Sequence, residues 1–385
     1  MPITEDINDN HKLLGLDHLR TLAIVSVFLF HYRFFGHPAW EPSISNFGWT
    51  GVDLFFVLSG FLIAGQLFNG LAKGSPIPMR EFFLKRFFRI IPPFFLVIAI
   101  YALFPYVKEW GNLSPIWRYF TFTLNFGLDL KRFGTFTHAW SLCVEEQFYL
   151  VLPLCFWLFG YFKAGSKAVY LLLALFIGGF ILRMWCWHYQ VAPHSSLGDL
   201  RPLWNQYVYY PTYNRLDGLL IGVSIAGIFT FYPAIKARIN RYSNLLMLAG
   251  IATLVAAYFV CIEKESFNTS VYGFPLISLG FGMILAAMVC PANMFYSVKS
   301  KVTGQLAALS YSIYLIHKIV IHVTQDLLGK AGMDKNGVLM MVCCIITTLC
   351  GALLMRYIVE KPSLWLRNRI LERWKLRGKL HLNHA

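Results

Sequence analysis

The segment LDHLRTLAIVSVFLFHYRFF, residues 16–35, is a predicted membrane helix that carries Arg20 and His31. About 20 apolar helical residues cross a bilayer. Arg20 and His31 are eleven residues apart, which is ~16 Å and about three turns of helix, so they share one face. Such side chains are costly in a membrane and by default mark a polar path or a site. Alternatively, Arg20 reaches the inner interface and His31 is a satisfied polar residue near the outer one.

Composition predicts an all-α polytopic integral membrane protein. The chain has 385 residues, of which 57% are hydrophobic and only 14% charged, whereas a soluble α/β enzyme needs far more charged surface. The N-terminal segment is acidic and has no basic n-region, so we expect the first helix to be retained. The eight cysteines lie mostly in apolar runs without metal-ligand spacing, which predicts neither a metal site nor a disulfide framework.

The distribution of charge predicts how the chain crosses the membrane. Eleven stretches are candidate spans, near 13–35, 49–70, 92–108, 116–128, 138–162, 168–188, 211–230, 243–262, 271–292, 303–326 and 337–358. The stretch 116–128 is short and contains Arg118, so we predict a re-entrant or surface segment there. The other ten, with both termini cytoplasmic, satisfy the positive-inside rule at every loop of an inner-membrane protein. The net charge of +15 is then explained by membrane orientation rather than by nucleic acid.

Three regions follow from this topology. We predict a cytoplasmic N-terminal segment over 1–15, one membrane domain over 16–362 and a basic cytoplasmic tail over 363–385. Basic residues alternate with leucine and tryptophan in the tail, which predicts a helix on the anionic inner leaflet and contact with membrane lipid.

Polar side chains are predicted to gather at both sides of the membrane. Those expected in the outer half are Asp53, His138, Glu145, Asn214, Arg215, Asp217 and His317. On the inner side, Arg86 and Arg89 precede Pro92 and Pro93, a pair expected to end or start a helix. Neighbouring guanidinium groups suit bidentate phosphate binding, although positive-inside anchoring explains them as well.

The motifs, taken in order, resemble the membrane-bound acyltransferase-3 family. Arg20 and His31 form its R-x10-H signature, and the match continues from Leu16 to Pro362 through GVDLFFVLSGFLI, KRFFRIIPP, WSLCVEEQFYLVLP, NRLDGLLIG, SYSIYLIH and VEKP. The resemblance implies transfer of an acyl group, usually acetyl from cytoplasmic acetyl-CoA. The implied acceptor is a hydroxyl of a carbohydrate or glycolipid at the extracytoplasmic side, such as a surface polysaccharide or lipopolysaccharide.

The resemblance also implies roles for individual residues. His31 would be the general base, with Glu145 or Asp53 orienting its ring, and Arg20, Arg86 and Arg89 would bind acyl-CoA. The residues expected to contact the acceptor are His138, Trp140, Ser141, Tyr149, Arg215, Asp217 and His317. Packing also explains Trp140 and Tyr149. Direct transfer and an acyl-histidine route both remain open.

Other functions also fit parts of the sequence. A transporter or flippase for a lipid-linked sugar would explain the polar residues in the helices and the basic residues on the inner side of the membrane. A structural subunit of an export complex would leave the acid–base groups unexplained. The sequence is compatible with several acceptors, namely O-antigen, exopolysaccharide, periplasmic glucan, a lipid-linked sugar and a small glycoside. The acceptor group is either a hydroxyl or an amine. Some relatives carry a hydrolase-like domain, so a second, periplasmic step is expected to need a partner protein.

Overall fold

The computed structural model describes residues 13–74, 79–161, 167–197 and 200–382, whose regular structure is helical. The α-helices are α1 (Leu14–Tyr32), α2 (Glu41–Ser45), α3 (Gly51–Ala72), α4 (Met79–Leu103), α5 (Ile116–Phe120), α6 (Trp140–Tyr161), α7 (Ala168–Cys186), α8 (Leu200–Trp204), α9 (Asp217–Phe231), α10 (Pro233–Arg241), α11 (Ser243–Val260), α12 (Phe274–Met288), α13 (Lys301–Lys330), α14 (Val338–Met355) and α15 (Lys361–Leu382). Short π-helical segments cover Trp187–Val191, Asn205–Tyr209, Thr269–Gly273 and Arg356–Glu360. Within these ranges, β-pairing is limited to one bridge between Leu113 and Thr135.

The prediction of an all-α polytopic membrane protein is confirmed. In the described ranges, nine helical segments are long and apolar enough to cross a membrane, and the pair α9 and α10, bent by 107°, makes ten if it forms one broken span. The stretch 116–128 holds only the five-residue helix α5 followed by turns, which is too short to span. The side on which each terminus lies stays a prediction.

The prolines of α4 do not mark a helix boundary, so that prediction is wrong. The helix runs from Met79 to Leu103 with Pro92 and Pro93 inside it. Each proline lacks an N–H and leaves the carbonyl four residues earlier without its helical donor. Membrane helices tolerate this loss where neighbouring groups satisfy the backbone. The tail is helical as predicted, and Pro362, the predicted end of the membrane domain, lies inside α15.

A central group of helices forms the buried core. Helix α1 packs against α3 and α13, α3 runs along α9, and α12 contacts α3, α9 and α11. Glycine allows the closest of these approaches, because a Cβ atom at Gly60 would meet the Leu219 backbone and one at Gly222 would meet the Val57 carbonyl. A Cβ atom at Gly65, in contrast, would meet no atom within 4 Å.

Candidate active site

Two cavities lie next to each other inside this core. The smaller, about 110 Å³, is named the arginine cavity because Arg20, Arg86 and Arg89 line it. The larger, about 350 Å³, is named the histidine cavity because His31 and His138 line it. Val52 and Tyr314 line both cavities. The two cavities are therefore neighbours along these two side chains.

The arginine cavity brings together the residues predicted to bind the donor. Helix α1 supplies Arg20, and α4 supplies Arg86 and Arg89 from successive turns. Arg20 Nη1 lies 3.9 Å from Asp17 Oδ1, and Arg86 Nη2 donates to Gln66 Oε1 at 3.4 Å. Three guanidinium groups in one cavity wall suit an anionic ligand with several oxygens.

Glu145 lies in the arginine cavity and not beside His31. Its Oε1 accepts a hydrogen bond from Ser59 Oγ at 3.0 Å, and its Oε2 accepts one from the Tyr149 hydroxyl at 3.2 Å. The Arg86 guanidinium sits over the Tyr149 ring, 5.2 Å from its centroid. Glu145 and Tyr149 therefore shape the arginine cavity, whereas the sequence had suggested an acceptor contact for Tyr149 and a ring-orienting role for Glu145.

Three histidines from three helical segments cluster at the histidine cavity. The ring centroids of His31 and His138 are each 4.9 Å from that of His317, and they are 5.7 Å from each other. His31 Nδ1 lies 2.9 Å from the Val27 carbonyl oxygen. Because a carbonyl only accepts, Nδ1 carries the proton and Nε2 is left as an acceptor. That tautomer is the one a general base needs.

His317, the third histidine of this cluster, is buried. Its Nδ1 donates to the carbonyl oxygens of Ile313 and Tyr314 at 3.1 and 2.8 Å. Among the described residues, no group of three or more histidine, cysteine, aspartate or glutamate side chains is arranged to hold a metal ion.

Two buried ion pairs account for the remaining predicted charges. Arg215 Nη2 lies 2.7 Å from Asp53 Oδ1, which links α3 to the start of α9. Arg183 of α7 contacts both carboxylate oxygens of Asp217, at 2.7 and 3.2 Å. None of the four side chains lines either cavity. The structure thus gives Asp53 a different partner from His31, and it does not bring Arg215 or Asp217 to a cavity wall.

Tyr314, which lines both cavities, is held at their boundary by hydrogen bonds. The Tyr314 hydroxyl donates to the His138 carbonyl oxygen at 2.7 Å and lies 2.6 Å from Ser141 Oγ. Ser141 lines the arginine cavity, and His138 and Trp140 line the histidine cavity. The adjacent residues Trp140 and Ser141 of the WSL block thus line different cavities.

Sequence reasoning missed several cations that line the histidine cavity. Arg201, Lys264 and Lys318 all do so, and none of the three was among the predicted site residues. Lys318 Nζ lies 3.8 Å from Glu109 Oε1, and both side chains are buried. A lysine directly after His317 in an apolar helix was a usable signal for Lys318. Arg183, fully buried in α7, was missed as well.

Comparison with known proteins finds acyltransferases. Residues 13–357 match the acyltransferase-3 family, described as an acyltransferase domain. Similar proteins are the O-acetyltransferase OatA of Staphylococcus aureus, 29% identical over 337 residues that cover 80% of this chain and 50% of the relative, and the peptidoglycan O-acetyltransferase OatA of Listeria monocytogenes, 28% identical over 82% of this chain and 50% of the relative. The putative peptidoglycan O-acetyltransferase YrhL of Bacillus subtilis is 28% identical over 92% of this chain and 55% of its own length.

The chain spans about half the length of the curated relatives it matches. No solved structure matches it. The family match covers α1 to α14 and both cavities, which agrees with the motif order in the sequence. This multi-pass membrane protein therefore belongs to the acyltransferase-3 family of acyltransferase domains.

Proposed function

We propose that this protein transfers an acyl group, as acetyl from acetyl-CoA, to a hydroxyl of a carbohydrate acceptor, with His31 as the general base. The observation that carries the proposal is that the two cavities share Val52 and Tyr314 as wall residues, close to the histidine cluster. A donor bound in one cavity and an acceptor bound in the other would meet there.

The arginine cavity suits the donor. Coenzyme A carries several phosphate groups, and planar guanidinium groups bind phosphate oxygens in a bidentate manner. With Arg20, Arg86 and Arg89 on the phosphates, the flexible pantetheine arm would pass Tyr314 and bring the thioester toward His31. The positive-inside pattern supports a cytoplasmic entrance for this donor and a location in the cytoplasmic membrane.

The histidine cavity suits a carbohydrate. Its wall contains the aromatic rings of Phe30, Phe34, Trp49, Trp110, Trp140, Tyr209, Tyr210 and Tyr314, and such rings pack against the apolar C–H face of a sugar. Polar groups among them would orient the sugar hydroxyls. The names of the relatives make peptidoglycan the first acceptor to test, before lipopolysaccharide or other surface glycans.

The reaction then follows from the free nitrogen of His31. The acceptor hydroxyl oxygen attacks the thioester carbonyl carbon while its proton passes to His31 Nε2, so that a C–O bond forms. Collapse of the tetrahedral intermediate breaks the C–S bond, and the leaving thiolate takes the proton from His31. A route through acyl-His31 would use the same nitrogen as the nucleophile. A second step by a partner protein stays part of the proposal.

The test is transfer of label from [14C]acetyl-CoA to an N-acetylglucosamine tetrasaccharide by the purified chain in nanodiscs. His31→Ala should lower the rate by roughly 10²–10⁴ because the base is lost. The matched control is His322→Ala, which removes a histidine of α13 that lines neither cavity and should leave the rate near wild type. Near-wild-type turnover in His31→Ala would remove His31 from the mechanism, and no consumption of acetyl-CoA by the wild type would favour a transporter.

A further inference from the structure

Lys264 extends from the loop between α11 and α12 into a set of aromatic rings. Its Nζ lies 4.6 Å from the ring centroid of Phe30, 4.7 Å from Tyr209, 5.4 Å from Trp49 and 5.6 Å from Trp204. These rings come from separate segments of the chain, and Phe30 directly precedes His31. Cation–π attraction to the rings holds the ammonium at the wall of the histidine cavity.

The charges around this cavity do not balance. Arg201, Lys264 and Lys318 line it, and no aspartate or glutamate is among the described residues that do so. The carboxylates just behind the wall already have partners, because Glu109 lies 3.8 Å from Lys318 and Glu265 lies 3.7 Å from Arg201. Across the ranges that the structure covers, Lys264 has no carboxylate within ion-pairing distance. One positive charge in the cavity wall is thus left without a counter-ion.

A purely interfacial role does not explain this arrangement. A lysine that only needed contact with water would extend away from the bundle, with its ammonium in the solvent. Lys264 instead lies among the rings beside His31, in a concave site whose apolar walls strengthen its field. Arg201, whose side chain is 58% exposed, lies nearer the mouth, with its guanidinium 5.2 Å from the Phe34 ring centroid.

We propose that the histidine cavity recognises an acceptor glycan that carries an anionic group, a carboxylate or a phosphate, which Lys264 binds and Arg201 contacts at the mouth. The acceptor role rests on the proposed function, whereas the anion site rests on the charge imbalance alone. Lysine acts as a point charge with three donors, so either oxyanion satisfies it. The sugar bearing that group would then present its hydroxyl beside His31.

The test is binding to the full chain in nanodiscs without any acyl donor. Three labelled probes are compared: a neutral N-acetylglucosamine tetrasaccharide, the same tetrasaccharide phosphorylated, and a hyaluronan tetrasaccharide whose alternate sugars carry carboxylates. We expect at least one anionic probe to bind roughly tenfold to a hundredfold more tightly than the neutral one, the usual worth of a charged contact. Which of the two does so identifies the oxyanion.

Variants then locate the charge that is responsible. Lys264→Gln should abolish the preference, and Lys264→Arg should retain most of it. Lys236→Gln, which removes the same charge from the exposed face of α10, should bind like the wild type. Equal affinity of the wild type for all three probes, or an unchanged preference in Lys264→Gln, would overturn the proposal.

The donor-free design separates this inference from the proposed function. Acyl transfer by a wild type that shows no charge preference would refute the anion site and leave the acyltransferase function intact. A charge preference that depends on Lys264, in a protein that never consumes acetyl-CoA, would support the anion site and refute the proposed function.

Discussion

Two nitrogen atoms of the histidine cavity matter most at the scale of single residues. His31 Nε2 is left as an acceptor because Nδ1 donates to Val27, and Lys264 Nζ is held among four rings. The first is a backbone effect within one helix, and the second is a tertiary effect that joins distant segments. In the proposed reaction His31 takes the proton of the acceptor hydroxyl, so its substitution should lower kcat. Lys264 binds the acceptor, so its substitution should raise the acceptor KM.

The acceptor affinity should depend on pH through Lys264. Burial lowers the pKa of Lys264 to about 7; Glu265 acts to raise it, and Arg201, Arg215 and Arg33 act to lower it further. The ammonium is the form that binds an anion, so binding is complete below this pKa and is lost as the pH rises through it. We expect the KM for an anionic acceptor to rise by about tenfold per pH unit above 7.

The control for this pH profile is Lys264→Arg, since a guanidinium keeps its charge throughout the range. The rise in KM should disappear in this variant, and it should be absent for a neutral acceptor. A KM profile identical in wild type and Lys264→Arg would show that another group controls acceptor binding.

The proposed binding of acetyl-CoA in the arginine cavity makes a separate prediction for the arginines of α4. Arg86→Lys and Arg89→Lys keep the charge but lose the planar fork, so each should raise the KM for acetyl-CoA by roughly tenfold to a hundredfold. The acceptor KM should change little. Arg80→Lys, on the exposed N-terminal turn of the same helix, is the matched control. If neither substitution alters the donor dependence, these arginines are orientation signals and Arg20 becomes the next candidate.

At the scale of helices, buried ion pairs tie α9 to its neighbours. Arg183 and Asp217 are 1% and 4% exposed, so removing one partner leaves a buried charge alone. We expect Asp217→Asn to lower the free energy of unfolding by about 3–5 kcal/mol, measured by detergent-induced unfolding. The double variant Arg183→Met with Asp217→Leu should recover much of that loss, since an apolar pair replaces the ions.

This prediction departs from the role in acceptor binding that the sequence suggested for Asp217. A raised acceptor KM in Asp217→Asn, with unfolding unchanged, would return Asp217 to the substrate site.

The helices themselves were largely predictable, because apolar runs of spanning length leave few alternatives in a membrane. The error at Pro92 and Pro93 has a physical cause. Proline removes one helical hydrogen bond and its ring crowds the carbonyl four residues earlier, but a membrane helix continues through it where neighbouring groups satisfy the freed carbonyl. The short α5 was predictable from length and charge together.

At the scale of the whole molecule, the sequence predicted that Arg20, Arg86 and Arg89 would lie together, but it did not predict the partners of Glu145 and Asp53. These three arginines line one cavity, because sequence order and loop charge already place them near one side. Glu145 and Asp53 lie elsewhere than beside His31, since helix rotation and tertiary pairing with Ser59, Tyr149 and Arg215 decide where they point. The cations from loops, Arg201 and Lys264, carry no periodic signal, so only folding reveals them.

The central claim is that the donor enters one cavity, the acceptor enters the other, and the acyl group passes between them at His31. Proteoliposomes test it most directly, with [14C]acetyl-CoA sealed inside and a membrane-impermeant anionic tetrasaccharide outside. The account predicts label on the external tetrasaccharide in wild type and in His322→Ala, and none above background in His31→Ala. Product that forms only when both substrates are on the same side of the membrane would contradict it.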